Sequence, residues 1–136
     1  MSQLEQVTTA EAEFSGSPIT DAEAAAAFRA CLNLFRMWRL SDTEAATLLD
    51  LPARTYARWK MGGPGRADRD QKARLSNLLG IHKALRLIFS DAARAYDWIR
   101  RPNEVFGRPA LDVMLGGELT DLMRVRRYLD SERGGW

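Results

Sequence analysis

One cysteine and one histidine among 136 residues set the first limits. Cys31 has no partner for an internal disulfide and falls on an apolar helix face, which reads as a small buried side chain, not a nucleophile. His82 lies along another apolar stripe with no second histidine or cysteine beside it. A packed or hydrogen-bonded imidazole is expected there, and no metal site. No apolar run approaches the ~20 residues that span a bilayer. The stretch MSQLEQVTTAEAEF lacks the basic region and apolar core of a secretory leader. These absences lead to the expectation of a cytoplasmic protein without membrane association. No stretch reads as a strand. The glycines of Met61-Gly62-Gly63-Pro64-Gly65 fit neither phosphate-loop spacing and follow no strand. Paired carboxylates, such as Glu11/Glu13 and Asp68/Asp70, sit near helix starts, where capping suffices. With no nucleophile near a positioned base, no catalytic residue and no cofactor are expected, and the chain reads as a binding protein rather than an enzyme.

Basic residues are also missing from one end. Residues 1–27 contain Glu5, Glu11, Glu13, Asp21 and Glu23 but no lysine or arginine, although the whole chain carries a net charge of +2. The excess lies in the middle: Arg54, Arg58, Lys60, Arg66, Arg69, Lys72, Arg74 and Lys83 face only Asp68 and Asp70 across residues 54–83. Such a patch suits phosphate contacts, and a merely solvated basic face is the plainer alternative. With 46% hydrophobic and 28% charged residues, the chain is globular. Its length suits one compact domain, or two small helical subdomains sharing a core.

What is present is helical throughout. Residues 1–19, ending in Ser15-Gly16-Ser17-Pro18, carry few core-forming side chains and read as a mobile arm. Thr20 with Glu23 forms a capping box for a first long helix whose Phe28, Cys31, Leu32, Phe35 and Trp38 share one face. Ser41 with Glu44 starts a short helix with Ala45, Ala46, Leu48 and Leu49 inward, broken at Asp50-Leu51-Pro52. A second short helix, about Ala53 to Lys60, buries Tyr56 and Trp59 and leaves Arg54, Thr55, Arg58 and Lys60 outside. This is the outline of a helix-turn-helix, and the first long helix should pack behind it. A flexible loop at 61–65 precedes a long helix from Asp68 to about Phe89, with Leu75, Leu78, Leu79, His82, Leu85 and Phe89 inward. Gly80 marks a kink or a close crossing within it. Asp91 caps a helix through Arg100, with Ala95, Trp98 and Ile99 inward. An ordered loop, Arg101 to Pro109, leads to a short helix from Ala110 to Leu115. The last helix, about Glu118 to Ser131, carries Leu119, Leu122, Met123, Arg126 and Leu129 on its inner side.

Two segments resemble a known family. Residues 41–60 are similar to the helix-turn-helix of Xre-like repressors, with E-A-A-x-L-L at Glu44 to Leu49 and R-T-x-x-x-W at Arg54 to Trp59. Asp50 stands where a turn glycine is usual, and Pro52 where a Ser or Thr N-cap is usual. Residues 94–117, RAYDWIRRPNEVFGRPALDVMLGG, resemble the toxin-binding region of the Xre/MbcA/ParS antitoxins through Ala95, Trp98, Ile99, Pro102, Asn103, Phe106, Gly107, Pro109, Asp112, Met114 and Leu115.

The resemblance implies an all-α fold: an Xre-like helix-turn-helix domain at 20–66 and a small helical toxin-binding domain at 67–136. It also implies a RES-domain protein toxin that consumes NAD as one partner, neutralised by occlusion of its active site. Operator DNA is the second implied partner, bound in autorepression of the operon, and a homodimer within a higher toxin–antitoxin assembly is expected. Thr43, Arg54, Thr55, Arg58 and Lys60 are then the DNA-contact candidates. Arg101, Asn103, Arg108, Arg126, Arg127, Arg133 and Trp136 are the toxin-contact candidates. Trp136 has no obvious core slot after Gly134-Gly135, so it either enters the toxin, folds back on its own domain or is left without order. Trp98 and Phe106 read as core residues that shape the surface. A stand-alone helix-turn-helix repressor without a toxin partner is the alternative.

Overall fold

The computed structural model describes residues 19–134. The expected arm, apart from Ile19, and the toxin-contact candidate Trp136 therefore lie outside the described residues. Ile19 itself packs against the core. The described residues are all-α: α1 (Asp21–Met37), α2 (Asp42–Leu49), α3 (Ala53–Gly62), α4 (Arg69–Ile88), α5 (Ala92–Asp97) continued by a 3-10 turn (Trp98–Arg100), α6 (Ala110–Met114) and α7 (Leu119–Glu132).

Local sequence accounts for where these helices begin. Capping boxes at Thr20/Glu23, Ser41/Glu44 and Asp68/Gln71 are all formed, each side chain accepting the other residue's orphan N–H. Asp91 accepts the Ala93 N–H at 3.1 Å to start α5. Asp121 accepts the Glu118 N–H, also at 3.1 Å, to start α7. Helix α3 runs two residues past the expected stop, through Met61 and Gly62, because a single glycine tolerates helical dihedrals. Gly63, with φ +86°, ends it. The loop that follows is anchored by buried Pro64 and Ala67.

Helix α4 is the wall that both halves share. It packs most extensively on α7 and next on α1, and it also meets α2 and α5. Two-sided burial explains why its inner stripe differs from expectation. Ile81 and Ala84 are fully buried beside Leu75, Leu78 and Leu85, whereas Leu79, His82 and Phe89 are only partly covered. On α7 the inner stripe is Leu122, Val125 and Leu129, which displaces Met123 and Arg126 to the flanks. The N-terminal core centres on Phe28, whose ring meets Trp59 edge-on at 5.3 Å and Tyr56 at 6.2 Å. Helix α1 therefore packs behind the helix-turn-helix as expected. Burial pushes the Tyr56 hydroxyl up to about 12. Cys31 is buried too, its thiol 3.9 Å from the Leu75 carbonyl that it donates to, and burial pushes its pKa up. An inert packed thiol results.

Arginines stitch the layers together. Arg74 of α4 is buried. Its Nε donates to Asp70 at 2.7 Å and its Nη1 to the Leu48 carbonyl at 3.2 Å, with Asp50 at 3.9 Å. Arg100 Nη2 donates to the carbonyls of Trp38 (2.8 Å) and Arg39 (3.0 Å), closing the end of α1 where Arg39 turns left-handed. Arg126 of α7 lays its guanidinium over Gly80 of α4, its Nη1 donating to the Ser76 carbonyl at 3.3 Å. The close crossing expected at Gly80 is thus made by a side chain, and α4 runs through it unbroken.

Candidate functional site

The first candidate surface is α3. With Tyr56 and Trp59 buried against Phe28, the 3.6-residue period puts Arg54, Ala57, Arg58 and Met61 on one outward ridge. All four are exposed, Met61 at 91%. Thr55 is half-buried at the edge of this ridge, and Thr43 is exposed on α2. Lys60 is held sideways: its Nζ donates to Asp42 Oδ1 at 3.0 Å and lies 5.6 Å from the Tyr56 ring centroid. It locks α3 to the start of α2. Ala57 and Met61 were not among the sequence candidates. The spacing from Arg54 and Arg58 could have found them.

The turn before α3 departs from the usual glycine without losing its shape. Asp50 adopts the left-handed conformation (φ 51°, ψ 47°) as C-cap of α2, a region that Asp enters more easily than most side chains. Arg74 grips the carbonyl two residues before it. Pro52 takes the N-cap of α3 and supplies no side-chain acceptor.

The basic middle is smaller than its composition suggests. Lys72 pairs with Asp21 at 3.0 Å, and that hydrogen bond holds the Asp21 carboxyl below its usual range. Arg74 is buried with Asp70, and Lys60 pairs with Asp42. These three cations are paired within the fold, although Lys60 stays exposed; Arg54, Arg58, Arg66, Arg69 and Lys83 also lie on the surface.

The second surface lies on the C-terminal half. Asn103 Oδ1 accepts the Phe106 N–H at 3.1 Å and Gly107 turns with φ +73°, so the loop between α5 and α6 is held from within. Phe106 is tucked in, meeting Tyr128 of α7 at 5.2 Å, while Trp98 stacks on the same Tyr128 at 6.1 Å with the planes 14° apart. Arg124 sits over the Phe106 ring at 5.0 Å. Trp98 and Tyr128 are half-buried.

The toxin-contact candidates scatter over this half. Arg101 is exposed and pairs with Asp97 at 3.1 Å, and Arg108 and Arg127 are exposed. Arg133 pairs with Asp130 at 3.3 Å. Asn103 is occupied in holding its loop, and Arg126 in the α4–α7 seam, where burial lowers its guanidinium pKa. Both act inside the fold. His82 is packed as expected, its Nε2 3.0 Å from the Tyr96 hydroxyl with the rings stacked. Among the described residues no three His, Cys, Asp or Glu are grouped to hold a metal. None of the described helices is long and apolar enough to cross a membrane.

Residues 17–80 match a family model described as the antitoxin Xre-like helix-turn-helix domain. Residues 84–135 match one described as the antitoxin Xre/MbcA/ParS C-terminal toxin-binding domain. The chain belongs to the Xre/MbcA/ParS antitoxin family. Both matched ranges meet inside α4, the wall that the two halves share. This antitoxin is also 47% identical over 122 residues to the uncharacterized protein y4oB of Sinorhizobium fredii (strain NBRC 101917 / NGR234), across 88% of this chain and 94% of that protein. The α3 ridge therefore belongs to the helix-turn-helix domain. The Trp98–Tyr128–Phe106 cluster belongs to the toxin-binding domain.

Proposed function

We propose that this antitoxin neutralises a RES-domain, NAD-consuming toxin by occluding its active site, and that antitoxin and toxin together repress their own operon. It acts in the cytoplasm as a homodimer within a type II toxin–antitoxin assembly. Its exposed α3 ridge enters the DNA major groove. There Arg54 and Arg58 donate to base edges, with Thr43 and Thr55 as flanking contacts. Ala57 and Met61 supply apolar contact of the kind a thymine methyl accepts. Lys60 sets the α2–α3 geometry and contributes charge at the rim. At the other end, Arg127, Arg133 and Trp136 face the toxin, with Arg101 and Arg108 alongside.

One observation carries this reading. The segment from Ala95 to Leu115 is pinned internally, with α5 on the same wall, α4, that supports the helix-turn-helix and α6 packed on α7. A chain built only to read DNA has no use for that segment.

Co-expression tests it. A RES-domain toxin that stops growth alone should be harmless beside this chain, and a toxin that still kills when the chain is abundant ends the proposal. On operator DNA, Arg54→Ala and Arg58→Ala should each weaken binding by about 1–3 kcal/mol. Shifts equal to wild type would show that these arginines are not the readers.

A further inference from the structure

Helix α1 ends with an arginine where glycine is usual. Past its C-cap, Trp38, the Arg39 and Leu40 N–H groups turn back to the carbonyls of Arg36 and Phe35, each at 3.0 Å. This closure needs a left-handed residue after the cap, and Arg39 takes that role with φ 59°. Its side chain gives the core nothing. It is 69% exposed and reaches Asp97 of α5 at 3.5 Å, and a pair so exposed offsets little of the backbone cost. A strained residue kept in this way points to a task for its guanidinium.

An open groove of about 430 Å³ lies there, between the end of α1 and α5. Arg39 lines it from one half of the chain, Arg94 and Arg101 from the other, and Asp97 is the carboxylate among them. Arg101 also reaches Asp97, at 3.1 Å, so one carboxylate serves two guanidiniums. Arg94 has no carboxylate partner among the described residues and lies over the Phe89 ring at 5.9 Å. Three guanidiniums against one carboxylate leave the groove with a net charge of +2. Met37, an exposed apolar side chain, Ala93 and Tyr96 complete the lining. The walls are held in place before any ligand arrives. Tyr96 bonds to His82 at 3.0 Å, and Arg100 grips the Arg39 carbonyl at 3.0 Å.

We infer that this groove binds a small organic diphosphate. Its phosphates draw Arg39 and Arg101 from Asp97 and meet Arg94, since guanidinium forks match phosphate oxygens in geometry and charge. Its apolar or planar body lies against Met37, Ala93 and Tyr96, in a space of the size that small ligands occupy. A protein face fits less well: a stable one covers ~800 Å² on each side, and this is a local hollow. Bound there, the ligand touches residues of both matched ranges, 17–80 and 84–135, and braces the two domains against each other.

The experiment uses the full chain, with ADP as the organic diphosphate and inorganic pyrophosphate as the bare anion, and needs no toxin. In low-salt calorimetry ADP should bind saturably, and it should raise the Tm of the wild-type chain. Arg39→Gly should unfold at or above the wild-type temperature, because glycine relieves the left-handed position, yet its ADP affinity should fall at least ~10-fold. Arg94→Gln should lose as much. Asp97→Asn frees both arginines and should bind ADP more tightly. Arg29→Gln, an exposed change elsewhere on α1, should bind as wild type. Pyrophosphate should bind at least ~10-fold more weakly than ADP, and equal affinities overturn the organic body. A wild-type chain without saturable ADP binding overturns the site. So does an equal loss in Arg29→Gln, or wild-type affinity in both Arg39→Gly and Arg94→Gln. If ADP fails and duplex DNA binds less well to the arginine variants, the groove touches a DNA backbone and the small-molecule proposal falls.

Discussion

Replacing Gly80 by alanine ordinarily favours a helix interior by about 1 kcal/mol, because glycine has more backbone freedom to lose. Here the opposite is expected. An added Cβ would overlap Cζ and Nη1 of Arg126 and stand 2.5 Å from its Nε. The guanidinium must leave the seam, since α4 is fixed by its packing on α1 and α7. It then loses the hydrogen bond to the Ser76 carbonyl, made at 3.3 Å, together with its packing on the bare helix surface. A charged hydrogen bond is worth about 1.5–3 kcal/mol, and the long geometry argues for the lower end. The ion pair to Asp130, at 3.7 Å and partly exposed, adds ~0.5 kcal/mol or less. A loss of about 2 against a gain of about 1 leaves Gly80→Ala destabilising by about 1 kcal/mol, or roughly 4 °C in Tm for a chain of this size. In an Arg126→Ala background the obstruction is gone, and the same substitution should stabilise by about 1 kcal/mol. Urea unfolding of the four proteins in the cycle, followed by far-UV circular dichroism, measures both values. The coupling should be near 2 kcal/mol, and the sign of the Gly80 effect should reverse. If Gly80→Ala stabilises both backgrounds equally, Arg126 does not occupy the space over Gly80.

Three further outcomes follow from the same geometry. Arg74→Met should destabilise the chain by about 2 kcal/mol in urea titrations, because the Leu48 carbonyl loses a charged donor while Asp70 stays hydrated; operator affinity should fall with it, and an unchanged midpoint would show that the clasp is idle. Asp50→Gly relieves a left-handed non-glycine residue while Arg74 keeps Leu48 and Asp70, so the expected change is a gain of up to ~1 kcal/mol, and a clear loss would mean that the Asp50 carboxylate matters. Burial, then Arg86, holds the His82 imidazole below its ordinary 6.5, so the folded state favours the neutral ring. Its stability is full above 6.5 and falls as pH drops through the folded-state value. His82→Gln should flatten that part of a Tm–pH profile, and identical profiles would exclude the imidazole as the cause.

Local features were the legible ones. The capping boxes at Thr20, Ser41 and Asp68 involve residues three apart, so spacing alone specifies them, and the helix starts came with them. The turn at Asp50 and the inward Tyr56 and Trp59 were legible for the same reason. Helix α4 was not, because a single-stripe pattern assumes one buried face and this helix has two; Ile81 and Ala84 belong to a side that periodicity treats as outer. Charge misled where pairing is long-range. Nothing local links Lys72 to Asp21, Lys60 to Asp42 or Arg74 to Leu48, so the basic middle read as larger than the surface it presents. Among the candidate contacts, Arg54 and Arg58 stand outward as read from a helical wheel. Arg126 is drawn inward by Gly80 and Ser76, partners that only folding brings near, whereas Asn103 is held by Phe106 three residues on, a local contact that the spacing could have shown.

A wall with two tenants also fixes how this molecule is lost. If either half peels away, apolar surface of Leu75, Leu78, Ile81 and Leu85 is bared along α4, and the other half is left on a wall covered on one side only. A protease that catches one end loosened therefore meets the whole chain loosened. The helix-turn-helix and toxin-binding domains are therefore expected to unfold together, and a chimera that exchanges either one must carry α4 with it.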